Sequence, residues 1–277
     1  MSWWAIDVRA PRAQRELTGA WLVAHTGQAV EERDDGTLVA FAPDEAAAVA
    51  LVEDLGRELD EVEAQRHRLE VTDWSTRWRE GLSARRVGRL TIVPSWLPEA
   101  SEPDPLTIVL DPETAFGSGE HGSTRAALAL LGRLLRSGDD VLDLGSGSGI
   151  LTIAAVKLGA ASAIGIEIDA EANDVAHRNG QRNGVSTRVE FLEGDASALA
   201  PLLGPVDLVV SNILRSTNTL LLPAIRRALR PGGVVIFAGM EQSEAEEFRR
   251  SLGDSGFAAF QEILDAGWWG VAAARPE

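Results

Sequence analysis

The spacing of apolar residues changes character twice along the 277-residue chain. In the first 70 or so residues, short apolar runs are interleaved with two amphipathic stretches. The run WWAIDV (3–8) predicts a strand, and Leu17, Ala20 and Trp21 recur at helical spacing within 11–23. Asp35-Gly36 separates two strand-like runs in QAVEERDDGTLVAFAP and predicts a hairpin. PDEAAAVALVEDLGREL opens on a proline and two acids and continues in good helix formers, as a helix start should. EVEAQRHRLEV (61–71) closes the series as a strand. The order β-α-β-β-α-β is the ferredoxin-like pattern. No residue in this part has the character of a reacting group, so recognition or packing is its expected role.

The pattern then loosens. Trp74 and Trp78 in DWSTRWREG (73–81) stand at i, i+4 on one helix face, the arrangement of a packing anchor. GRLTIVPSWLPEASEPDP follows as a strand and a proline-rich loop. From residue 106 strands and helices alternate: LTIVL, a helix over 123–136, DDVLDLG, a helix over 149–158, ASAIGIEI, a helix over 170–182, then TRVEFLEGD and VDLVVSNI. A helix over 217–229, GGVVIFAG and a helix over 242–252 complete the series. Such alternation predicts an α/β domain with a doubly wound, mostly parallel sheet. FAAFQEILDAGWWGVAAAR has no helical stretch between its apolar runs, so a terminal hairpin should add an antiparallel strand. The expected division is 1–70 for a small α/β domain, 71–105 for a linking helix and strand, and 106–277 for the doubly wound domain.

Composition narrows the classes. With 45% apolar and 25% charged residues the chain reads as an ordinary soluble globular protein. No run approaches the roughly 18 apolar residues of a membrane helix. MSWWAIDVRAPR has no secretory pattern, so a cytoplasmic location is expected. There is no cysteine, which excludes disulfides, thiolate metal sites and cysteine nucleophiles. His25, His67, His121 and His177 are scattered without metal-ligand spacing, so no metal is expected. A net charge of −16 repels nucleic acid and suits small molecules or basic proteins.

Two glycine runs carry the candidate chemistry. GSGEHGST (117–124) resembles a Walker A loop, but Ser123 occupies the lysine position, which removes the charge that nucleotide hydrolysis needs. VLDLGSGSGI (141–150) is a buried strand entering a tight turn and a helix. Its Gly145, Gly147 and Gly149 form G-x-G-x-G, not the dinucleotide G-x-G-x-x-G. Glu167 ends the next strand, where a carboxylate can accept both ribose hydroxyls of a nucleoside, and Asp195 ends the one after, placed to meet an adenine edge. Asp143, beside the turn, should repel a pyrophosphate and attract an ammonium or sulfonium. S-adenosylmethionine, an adenosine with an amino-acid tail and no phosphate, fits these positions better than a dinucleotide. Asn212 ends VDLVVSNI at the carboxyl edge of the sheet, and its neutral amide can hold an amine without protonating it.

In the order DWSTRW, VPSW, LDPETAFGSGEHGST, VLDLGSGSGILTIAAVKLGA, IGIEIDAEA, NGV, SNIL and GWW, residues 73–277 resemble the class I methyltransferases, and specifically the ribosomal protein L11 methyltransferase family. The resemblance implies a Rossmann-like seven-stranded methyltransferase sheet with a small N-terminal ferredoxin-like α+β domain that holds the protein substrate. It implies S-adenosyl-L-methionine as cofactor, contacted by Thr124, Gly145, Gly147, Glu167, Asn212, Phe116 and Asp195. The first glycine run becomes a lid over the methionine end, with Phe116 as apolar cover and Thr124 as polar contact. Asn212, the catalytic position, and the Ile213 backbone would face the substrate amine. The chain departs from the family at Gly122-Ser123 (commonly proline and threonine), at Glu167 (commonly aspartate) and at Arg215 (usually small or acidic).

The implied reaction is in-line displacement by a neutral lysine or α-amine nitrogen of ribosomal protein L11, in a bacterial cytoplasmic enzyme acting as a monomer without nucleic acid or membrane. Alignment and desolvation are the enzyme's share. With no histidine at an obvious site, deprotonation is assigned to water near Asn212. Another protein or small-amine acceptor, a nicotinamide oxidoreductase and a non-enzymatic adenosyl-ligand sensor are the alternatives. The glycine spacing, Asp143 and the lack of a catalytic Tyr or Cys count against the oxidoreductase.

Overall fold

The computed structural model describes residues 4–11, 14–26, 30–32, 36–59, 61–68, 82–101, 103–113 and 115–277. Trp74 and Trp78 lie outside them. The chain divides into two compact units, Met1–Arg77 and Trp78–Glu277.

The small unit runs β1 (Trp4–Arg9), α1 (Arg15–Thr26), β2 (Glu31–Glu32), β3 (Leu38–Ala42), α2 (Glu45–Glu58) and β4 (Glu63–Arg68). Its sheet has the order β2-β3-β1-β4 with every pair antiparallel, a ferredoxin-like arrangement. Alternate residues Ile6 and Val8 on β1 and Leu38 and Ala40 on β3 face Leu22, Leu51 and Leu55 of the helices. The proline and acids before α2 act as read: Asp44 accepts from the Ala47 amide at 2.8 Å.

The larger unit starts with a three-stranded sheet, β5 (Arg85–Val87), β6 (Leu90–Val93) and β7 (Thr107–Val109). The run LTIVL, expected to open the parallel series, is therefore β7 of a separate sheet. A side-chain amide satisfies its outer edge: Asn183 accepts from the Val109 amide at 2.9 Å and donates to the Val109 carbonyl at 2.7 Å.

The main series comprises α3 (Gly122–Leu134), β8 (Asp140–Leu144), α4 (Ile150–Leu158), β9 (Ser162–Glu167), α5 (Ala170–Arg182), β10 (Val189–Glu193), α6 (Ala196–Leu203) and β11 (Val206–Asn212). It ends with α7 (Arg215–Ala228), β12 (Leu229–Glu241), α8 (Ala245–Asp254), β13 (Ala258–Asp265) and β14 (Trp268–Ala274). The seven strands lie in the order β10-β9-β8-β11-β12-β14-β13. The first five run parallel, and β14 is inserted antiparallel to both neighbours, as the terminal hairpin required. Helix α6 was not anticipated, because ASALAPLL is short and interrupted by Pro201.

Each face of this sheet has its own core. Leu208 and Val210 of β11 pack with Leu128, Leu130 and Ile153, whereas Val209 packs with Leu142, Leu222 and Phe237 on the other side. Burial on both faces explains why these strands read as continuous apolar runs. From β8 the chain builds outward to β10, then returns to place β11 on the other side of β8. That reversal leaves a crevice at the carboxyl ends of β8 and β11, where open sheets of this kind take ligands.

Candidate active site

A cavity of about 460 Å³ occupies this crevice, a volume typical of small-molecule sites. Phe116, Gly145, Gly147, Glu167, Asp195 and Asn212 all line it. Thr124 does not. It is wholly buried, and its hydroxyl accepts from Nδ2 of Asn212 at 3.3 Å, so it stands behind that amide.

The turn after β8 explains which nucleosides the site can take. Gly145, Gly147 and Gly149 have φ of 75°, 51° and 81°, so the left-handed backbone needs glycine. Every amide from 145 to 149 is already used. Gly145 and Ser146 donate to the Ile166 carbonyl, Gly147 to Oε2 of Glu167 at 2.9 Å, Ser148 to the Phe116 carbonyl and Gly149 to that of Ser146. A phosphate cradle needs free amides, and this loop offers none.

The role expected of Asp143 needs correction. It does not line the cavity. It is wholly buried and points into the first turn of α4, where one oxygen accepts from the Thr152 amide at 3.0 Å and the Thr152 hydroxyl at 2.7 Å. The Asp143 carboxyl thus already occupies the helix N-terminus that would attract a phosphate. Burial pushes the carboxyl up to about 7; the Thr152 bonds oppose the rise, and the nearby Glu167 charge adds to it.

Glu167 braces the turn as well as facing the cavity. Its Oε1 accepts from the amides of Ile168 and Asp169 at 2.9 and 3.1 Å, and with Gly147 on Oε2 one lone-pair site remains, on Oε2. Asp195 caps α6 by accepting from the Ser197 amide at 2.7 Å, which holds its carboxyl below the usual range.

The first glycine run folds onto the second. Ser148 donates through Oγ to the Gly117 carbonyl at 2.7 Å, and a Cβ on Gly147 would stand 2.5 Å from the Phe116 carbonyl. Phe116 itself is 56% exposed at the cavity rim. Behind it, His121 lies 5.4 Å from the Phe116 ring and 4.2 Å from the Trp268 ring, with Nδ1 at 2.7 Å from Oγ of the buried Ser123. Gly122 makes this approach possible, because a Cβ there would meet the Asp265 carbonyl at 2.6 Å. Arg125 fixes the same junction by donating to Asp265 and to the Glu120 carbonyl. Burial, helped by the Arg125 charge, lowers the His121 pKa.

Asn212 is held from two sides. The wholly buried Asn218 accepts from Ser211 Oγ at 2.7 Å and donates to the carbonyls of Ile213 and Ala238, which locks the turn after β11. Gly239 lets that turn close, since a Cβ there would stand 2.3 Å from the Ile213 carbonyl. Asn212 Nδ2 has Thr124, but its buried Oδ1 has no partner. A buried acceptor without a partner is a rare feature that calls for an explanation, and a catalytic role is one. His121, Ser123 and Trp268 also line the cavity and were not singled out as site residues. In the sequence His121 counts only among four scattered histidines, none at an obvious site for deprotonation, whereas the structure places it on the cavity wall.

The profile of the ribosomal protein L11 methyltransferase family (PrmA) matches residues 3–276. The chain belongs to the ribosomal protein L11 methyltransferase family. It is 39% identical to the ribosomal protein L11 methyltransferase of Thermus thermophilus over 71% of this chain and 75% of that one. It is 36% identical to the Deinococcus radiodurans protein of the same name over 74% and 78%. The crystal structure of ribosomal protein L11 methylase from Lactobacillus delbrueckii subsp. bulgaricus superposes with a TM-score of 0.62 at 31% identity, covering 71% of this chain and 99% of that one. As a member of this family the chain is an S-adenosylmethionine-dependent methyltransferase with the Rossmann-like class I fold. Among the described residues no cluster of groups could hold a metal ion. Arg215, read in the sequence as a departure from the family pattern, pairs with Glu244 at 3.2 Å and Glu247 at 2.7 Å. Ser123 supplies the hydroxyl that meets His121.

Proposed function

We propose that this methyltransferase modifies lysine side-chain or N-terminal amines of ribosomal protein L11. The open Oδ1 of Asn212 carries the reading. It can accept an amine N–H while its neutral amide leaves the nitrogen lone pair free to react. The cavity residues fit the cofactor: Gly145 and Gly147 line the cavity wall, Glu167 keeps a lone pair on Oε2 for a ribose hydroxyl, and Asp195 stands for the adenine edge. Phe116 covers the methionine end, and Thr124 acts indirectly by orienting Asn212. When bound, S-adenosylmethionine supplies an electrophilic methyl group on a sulfonium. The protein's residues align the amine and exclude water.

The net charge of −16 favours encounter with a basic protein and disfavours nucleic acid. The ferredoxin-like unit is assigned to holding that protein. Among the described residues no helix is long and apolar enough to cross a membrane.

Asn212→Ala tests the reading. Single-turnover methylation of ribosomal protein L11 should fall by about 10²-fold, the scale of a lost positioning contact, with S-adenosylhomocysteine affinity much less affected. An unchanged rate in a folded variant removes Asn212 from the mechanism. Labelling of other proteins or small amines but not L11 transfers the activity to another acceptor.

A further inference from the structure

An ammonium cannot attack a methyl group until it has lost a proton, and His121 on the cavity wall is a group suited to take it. We propose that His121 accepts the proton leaving the acceptor amine and passes it to water on the far side of the 115–121 segment. The inference rests on the amine-methylation reading above.

Position is the first support. His121 and Phe116 line the main cavity and also a second one, of about 410 Å³, walled by Leu82, Pro112, Glu113 and Glu120. The imidazole therefore stands between the place where a proton is released and a separate opening through which it can leave. Among the described residues no other histidine lines either cavity.

Orientation is the second. Phe116 and Trp268 hold the ring from two sides, at 5.4 and 4.2 Å between centroids, and Ser123 Oγ engages Nδ1 at 2.7 Å. In the tautomer whose Nδ1–H donates to Ser123, Nε2 keeps its lone pair and can take the proton. In the transfer, the amine N–H bond breaks and its electron pair stays on nitrogen. The Nε2 pair forms the new N–H bond, and the imidazolium then returns the proton to water.

The charges around the ring keep it neutral before transfer. Arg125, on its own helix, disfavours the imidazolium. Glu120 is paired with Arg85 of β5, Glu113 with Arg178 of α5, and Asp265 of the β13–β14 hairpin with Arg125, so each nearby carboxylate is already matched. Glu167 and Asp195 face the cavity from other walls. Burial adds to the Arg125 effect, and His121 is left below its ordinary pKa.

The test compares the full chain with His121→Gln. In single-turnover methylation of ribosomal protein L11, the parent rate should be nearly flat from about pH 7 to 9. The variant should be about 10²-fold slower at pH 7, the scale of a lost general base. Its rate should climb about tenfold per pH unit as the amine deprotonates unaided. S-adenosylhomocysteine affinity, measured by calorimetry, should stay within about threefold. A variant with the parent's pH profile, or one folded and undiminished in rate, overturns the proposal. A second measurement needs no acceptor: proton NMR of the parent, with the His121 resonance assigned by its loss in the variant, should show titration below the ordinary histidine value. Titration above pH 7 overturns the proposal even if L11 proves not to be the substrate. A parent that titrates as expected but does not methylate L11 counts against the assigned acceptor instead.

Discussion

Replacing Asp143 with asparagine would remove a buried charge and keep an oxygen for the two bonds from Thr152. The carboxyl titrates at about 7 in the folded chain because burial strips its hydration, against an ordinary value of 3.8. Between about pH 4 and 7 the folded state therefore holds a proton that the unfolded state has released. The stability from this proton is complete below about pH 4 and is lost as pH rises through about 7. Each pH unit of separation corresponds to about 1.4 kcal/mol, so a gap of roughly three units amounts to about 4 kcal/mol. Asparagine has no such dependence. The stability of Asp143→Asn relative to the parent should rise by about 1.4 kcal/mol per unit from about pH 4, by about 4 kcal/mol in all, and level off above about pH 7.5. Oδ1 has no partner, so the new amide N–H₂ would lack an acceptor and lower the variant's stability by about 1–3 kcal/mol at every pH. That offset does not alter the slope. Urea unfolding followed by circular dichroism, at fixed ionic strength and half-unit pH steps, measures it. A stability difference that stays constant with pH, or falls as pH rises, would refute the burial argument.

Glu167→Ala should weaken S-adenosylmethionine binding by roughly 1–3 kcal/mol through lost charge-assisted bonds, read by calorimetry, and tighter binding of NAD than of S-adenosylmethionine would overturn the cofactor assignment. Removing residues 1–68 should leave S-adenosylhomocysteine binding intact, because every residue lining the main cavity lies beyond 110, and should abolish methylation of ribosomal protein L11. An undiminished rate in that truncated chain would end the recognition role of the small unit.

Most elements were legible in the chain because their causes are local. The spacing over 170–182 coincides with α5, and the Asp35-Gly36 signal falls between β2 and β3. The terminal apolar runs without a helix between them became the hairpin of β13 and β14. Strand ends and turns likewise mark Gly145, Gly147, Glu167, Asp195 and Asn212, since a doubly wound sheet brings the carboxyl ends of its parallel strands to one edge. What local pattern could not supply is direction and company. Thr124 sits on the lid-side helix as expected, yet points behind Asn212 and not into the cavity. Asp143 ends up under α4, because alternate residues of β8 face opposite sides of the sheet and its register sets which side. The strand LTIVL could join either sheet by its composition, and pairing with β6 and capping by Asn183, 74 residues away, decided it. His121 and Trp268 are separated by most of the doubly wound domain and meet only because β14 is inserted beside β12, which carries the start of the terminal strand over the N-terminus of α3. Their contact depends on long-range strand order, which no window of sequence encodes.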